Sequence, residues 1–117
     1  MDYLGINDFN YRENEYHKNG CSYKVTDIIE LSKHYESFDL PIAGIDISVM
    51  PWGGQTIKSF CYHTNRIEKI TGNYPIILDD EGFICDGWHR LVKSITSGFT
   101  HIKAVRLKIM PEPIKKD

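Results

Sequence analysis

Apolar residues first fall into a helical rhythm at Val25, Ile28, Ile29 and, with them, Ser32, recurring at spacings of three and four. Those positions share one helical face. The spacing predicts a helix over 26–37, capped by Thr26 or Ser22, with Asp27 and Glu30 near the positive end of its dipole. Pro41 and Gly44 punctuate the next stretch. Ile45, Ile47 and Val49 then alternate with Asp46 and Ser48, the pattern of a half-buried strand, which ends in the loop Pro51-Trp52-Gly53-Gly54. A second helix over 57–70 carries Ile57, Phe60, Cys61, Ile67 and Ile70, and Thr71-Gly72-Asn73 stops it. Two short apolar runs, Pro75-Ile76-Ile77-Leu78 and Phe83-Ile84-Cys85, flank the turn Asp79-Asp80-Glu81-Gly82 and read as a β-hairpin. A third helix over 88–97 packs Leu91, Val92 and Ile95 inward and stops at Gly98, a left-handed C-cap. Ile102, Ala104, Val105, Leu107 and Ile109 make a last strand.

The ends lack such a rhythm. Residues 1–21 read as an irregular arm whose Tyr3, Tyr11 and Tyr16 pack on the domain or serve a partner, and Pro111 and Pro113 open a charged tail over 111–117. The domain proper spans 22–110. Its fold class is α/β, a small mixed β-sheet with packed helices.

At 117 residues, 41% hydrophobic and 26% charged, the chain is sized and composed for one globular domain with its own core. Fourteen Lys and Arg against sixteen Asp and Glu give a net charge of −2, which excludes a general cationic wrapper of DNA. Lys103, Arg106 and Lys108 are the nearest to a basic cluster, and alternation along a strand keeps them from all sharing a face. No segment approaches the roughly 20 apolar residues of a membrane helix, and no leader opens the chain, so a cytoplasmic protein without a membrane partner is expected. Cys21, Cys61 and Cys85 are odd in number and widely spaced, fitting neither a disulfide framework nor a paired-thiol zinc site. They read as small buried hydrophobes.

The chemical content lies where the second hairpin strand meets the third helix, Asp86-Gly87-Trp88-His89-Arg90. Free N–H groups and the dipole at a helix start attract an anion. His89 and Arg90 add donors there, the guanidinium gripping a phosphate with two parallel bonds. Gly87 lets the anion approach the backbone. The alternative is structural: His89 and Arg90 at the surface, Asp86 a helix cap. Trp52 and Trp88, each next to a glycine, are either bases' stacking partners or core-edge residues.

The stretch over 74–107, YPIILDDEGFICDGWHRLVKSITSGFTHIKAVRL, resembles the N-terminal ParB domain and sulfiredoxin superfamily, in particular the short stand-alone ParB-like proteins of phages. The shared pattern is strand, turn, strand, G-x-[H/R]-R, helix, Gly, strand. With the preceding helix–strand–helix order it covers about four-fifths of the chain. The resemblance implies a ParB/sulfiredoxin-like fold and nucleotide phosphates held by Gly87, His89 and Arg90. It adds His63, Asn65 and Arg66 of the second helix as further polar contacts. Sulfiredoxins carry a cysteine, and partition-type ParB proteins a catalytic glutamate, where this chain has Trp88; helix-turn-helix and dimerisation segments are missing from the sequence too. Sulfinic-acid reduction and sequence-specific DNA binding are therefore not expected. If chemistry occurs, Asp86 and His89 are the catalytic candidates, His89 as a general acid or base titrating near neutrality. The reaction would be phosphoester hydrolysis with Mg2+ or Mn2+ and no assigned protein metal ligands. Three readings remain open: a nucleotide hydrolase, a non-catalytic protein that sequesters a cyclic or other host-defence signalling nucleotide, and an interaction module using the arm. A homo-oligomer is left open as well.

Overall fold

A computed structural model describes residues 14–52, 56–72 and 74–116. The first two strands, β1 (Glu15–Lys18) and β2 (Cys21–Lys24), form an antiparallel hairpin. Its turn is Asn19-Gly20, with φ of 51° and 78°. Asn-Gly suits a two-residue turn whose twist matches that of the flanking strands. The expected irregular arm is thus corrected from Glu15 onward; Tyr3 and Tyr11 lie outside the described residues. Tyr16 packs on the domain, its hydroxyl donating to Asp79 at 2.7 Å.

Helix α1 (Val25–Ser32) follows at once. Lys24 is its N-cap and makes no side-chain cap bond, so neither Thr26 nor Ser22 has the predicted role. The amides of Lys33, His34 and Tyr35 bond to carbonyls three residues back, which tightens the chain out of the α-helix well before residue 37.

The next strand is β3 (Phe38–Pro41), followed by a short 3-10 turn at Ile42–Gly44. The strand expected at Ile45–Val49 does not form. Asp46 accepts from the Ser48 amide at 2.9 Å and from its hydroxyl at 2.6 Å, and such a local side-chain turn competes with strand pairing. Ile47 and Val49 are correspondingly exposed, at 59% and 47%.

Helix α2 (Ile57–Glu68) is capped by Thr56, whose hydroxyl accepts from the Ser59 amide at 3.0 Å. Then come β4 (Ile76–Leu78), β5 (Ile84–Asp86), α3 (Trp88–Thr96), β6 (His101–Arg106) and β7 (Lys115–Lys116). Gly98, with φ of 85°, ends α3 as expected. One sheet has the order β3-β6-β4-β5, with β4 parallel to β6 and the other pairs antiparallel. The second has the order β1-β2-β7. The expected charged tail therefore contains a strand, and the Ile114 amide bonds the Ser22 carbonyl at 2.7 Å.

These elements give a mixed α/β fold with small sheets and three helices. Strand β4 lies between two neighbours and is apolar on both faces, which explains its unbroken Ile-Ile-Leu. Ile77, Cys85, Val105 and Leu107 meet Ile28 of α1 and Tyr23 of β2 in one cluster. Ile76, Leu78, Ile84, Ile102 and Ala104 meet Leu91 of α3 in the other. Each such side chain, once buried, contributes about 1.5–3 kcal/mol. Of the cysteines only Cys85 is fully buried; Cys21 and Cys61 are half-buried, and all three are free thiols. Among the described residues no helix is long and apolar enough to cross a membrane.

Candidate functional site at the start of α3

Strand β5 ends at Asp86, and Gly87, the N-cap of α3, reverses the chain at φ 109°. A Cβ on Gly87 would sit 2.6 Å from Ile76 Cγ2 and 3.0 Å from Ile76 Cα. The glycine is therefore demanded by the close approach of β4. The space that the sequence assigned to an anion's approach on that side is filled by Ile76. Nor is Asp86 the helix cap.

The anion-attracting property of the helix start survives this correction. The first intrahelical bond runs from the Leu91 amide to the Gly87 carbonyl, 2.9 Å. The amides of Trp88, His89 and Arg90 precede it and have no intrahelical acceptor. Successive helical residues point about 100° apart, so the three side chains fan out. Trp88 packs against the core cluster around Leu91. His89 is 7% exposed and turns toward α2, its Nε2 2.7 Å from His63 Nδ1. Arg90 turns the other way: its Nη1 donates to the Gly72 carbonyl at 3.2 Å, and its guanidinium lies 5.5 Å from the Tyr74 ring centroid.

Trp52 lies over the histidine pair. Its ring stacks on His63 at 4.4 Å and 18°, and on His89 at 4.3 Å and 28°. The two imidazoles are themselves within 21° of parallel, so a flat hydrogen-bonded pair lies under one indole. Burial first, then the nearby Arg66, holds His63 below its ordinary range. His89 is pushed down to about 3 by burial, then by Arg66 and His63. Both rings are neutral at pH 7. This corrects the expectation that His89 titrates near neutrality: it offers one N–H or one lone pair.

Asp86 is partly buried, and that burial raises its carboxyl above the usual range, against the pull of Arg90 and Arg66. Arg66 is half-buried on α2, its guanidinium 5.9 Å from the Tyr62 ring. Asn65 lies half-buried on the same helix. Cys85 is no substitute for a catalytic thiol: its Sγ donates to the Ile77 carbonyl at 3.3 Å within the opposite core cluster, and burial raises its pKa. Comparison with family models, with curated proteins and with solved structures returned no match.

The structure thus brings Trp52, His63 and His89 together, with Arg66 and Asp86 beside them. It packs the partly buried Trp88 against the core and turns the Arg90 guanidinium toward Gly72 and Tyr74. A divalent cation finds a poor donor set. Among the described residues no three His, Cys, Asp or Glu side chains are placed to hold a metal ion, and the one carboxylate at the site lies under the influence of two guanidinium groups. Sequence reasoning named the tryptophan and both histidines but not their contact, since 26 residues separate His63 from His89. It missed Tyr62 and Tyr74, whose only local signal is being aromatic.

Proposed function

We propose that the protein binds the phosphate of a nucleotide at the start of α3, in a ParB/sulfiredoxin-like arrangement. The free amides of the first turn receive the anion, Arg66 and Arg90 supply charge, and the histidine pair supplies a neutral N–H. The observation that carries this reading is the stack of Trp52 on His63 and His89, three residues from three segments, beside the anion-attracting helix start.

A buried His89 with its pKa pushed down to about 3 is a weak base and is not an acid near pH 7, which favours binding without turnover over phosphoester hydrolysis. Trp88 at the position of the family's reactive residues supports the same preference. The residues present do not fit resident Mg2+ or Mn2+. The test is a thermal-shift screen against nucleotides, cyclic dinucleotides and ADP-ribose derivatives, with each hit recovered and checked by chromatography. A hit returned intact, and lost in Arg66→Gln, is expected. Absence of any hit, or a hit indifferent to Arg66→Gln, would overturn the reading.

A further inference from the structure

On the side of α3 away from Trp52 runs a groove of about 420 Å³. Its charge differs from that of the chain as a whole. Arg90, Lys93 and Lys103 line it against a single carboxylate, Asp39, in a protein of net charge −2. Arg90 and Lys93 are held there by backbone carbonyls rather than carboxylates: Gly72 for Arg90, and Ile70 at 2.6 Å for Lys93. Lys103 pairs with Asp39 at 2.8 Å, and Asp86, outside the groove, interacts with Arg90 through charge alone. Two aromatic rings also line the groove and stand mostly in solvent, Tyr74 at 72% and Phe99 at 64% exposure. Tyr74 precedes β4 and Phe99 precedes β6, neighbouring parallel strands, so both rings mark the same end of the sheet.

We propose that this groove binds single-stranded nucleic acid, with phosphates on Arg90, Lys93 and Lys103 and bases stacked on Tyr74 and Phe99. An excess of cations over carboxylates along the groove attracts any polyanion, but exposed rings among them select one that also carries aromatic faces. An acidic peptide would use the charge and leave the rings idle. A duplex keeps its bases stacked inside and has none to offer. The inference does not depend on the phosphate reading of the α3 start, although Arg90 borders both.

The experiment is fluorescence anisotropy of a labelled oligothymidylate of about twelve nucleotides, titrated with the whole chain over a series of salt concentrations. Three neutralised phosphates predict a log–log salt slope near −2, and Lys93→Gln and Lys103→Gln should each reduce its size by about 0.7. Phe99→Ala should weaken binding roughly 5- to 150-fold. Phe99 is 64% exposed and the Lys103 side chain 54% exposed, so both variants should keep the wild-type circular dichroism and melting curve. Arg66→Gln, which belongs to the other site, should leave oligonucleotide binding unchanged. No binding at low salt would overturn the proposal. So would polyglutamate or a duplex binding as tightly, or binding indifferent to Phe99→Ala and Lys103→Gln.

Discussion

The β4–β5 hairpin carries a buried or part-buried aspartate at each end, and the two live in opposite surroundings. At the turn, Asp79 is 0% exposed and accepts from the Tyr16 hydroxyl at 2.7 Å, the Glu81 amide at 2.8 Å and the Phe83 amide at 2.9 Å. Lys18 reaches it at 3.2 Å and also pairs with Asp80 and Glu81. Burial alone would raise that carboxyl, but these partners together hold it below the usual range. At the other end Asp86 has no such set of donors, and burial prevails. The lesson is that burial of a carboxylate says little by itself. A saturated one clasps two hairpins together; one without such donors stays raised by its burial even with two arginines near it.

The largest effect that sharpens this contrast is expected at the clasp. Asp79→Ala strands three donors, the Tyr16 hydroxyl and the Glu81 and Phe83 amides, and should cost about 3–5 kcal/mol in chemical denaturation. A loss below about 1 kcal/mol would mean that the hairpins are held by apolar packing instead. Gly87→Ala comes next, at about 2–4 kcal/mol, because the methyl meets Ile76 and φ is 109°. An unaffected melting curve there would show that β4 and α3 separate easily.

Acid should act through the histidines. A group whose folded pKa is lowered binds fewer protons in the folded than in the unfolded state, so its contribution is present above the unfolded value and is lost as pH falls. For His89 that window runs from near its ordinary 6.5 down to about 3. Stability should decline by about 2 kcal/mol between pH 7 and pH 5, and His89→Gln should flatten the decline. Asp79 follows the same sign at lower pH, its contribution lost as pH falls through its depressed value. Asp86 has the opposite sign: its raised carboxyl lets stability fall as pH rises from the usual carboxylate value to the raised one. The smallest expected change in stability is that of Arg66→Gln, under about 1 kcal/mol. Yet it should move the imidazole titrations upward by NMR, since Arg66 helps to hold both down.

What was readable in the sequence was local. The β4–β5 hairpin, α3 and its Gly98 stop follow from turn residues and spacing that the structure repeats almost residue for residue. The Asn19-Gly20 turn was equally local, but its strands, Glu-Tyr-His-Lys and Cys-Ser-Tyr-Lys, carry too few aliphatic residues to register as alternation. At Ile45–Val49 the alternation was real and misleading, because the Asp46–Ser48 bonds bend the chain and leave its apolar side in solvent. Strand β3 instead takes its place by pairing with β6, more than sixty residues on, which no local pattern encodes. The same divide runs through the site. Residue chemistry picked out Trp52 and His89, and the resemblance added His63, whereas the neutrality of the pair depends on burial and on Arg66. The groove needed Lys103 of β6 brought beside α3.

Trp52 has an optical consequence. The sequence contains two tryptophans, and Trp88 is packed against the core, while Trp52 lies flat on two imidazoles. An imidazolium quenches indole emission far more strongly than a neutral ring does. At pH 7 both rings beneath Trp52 are uncharged, so its emission is largely spared this quenching until something changes their proton count or slides between the planes. The protein carries its own fluorophore at the start of α3, and entry of a ligand there should appear as a change in native fluorescence without any label.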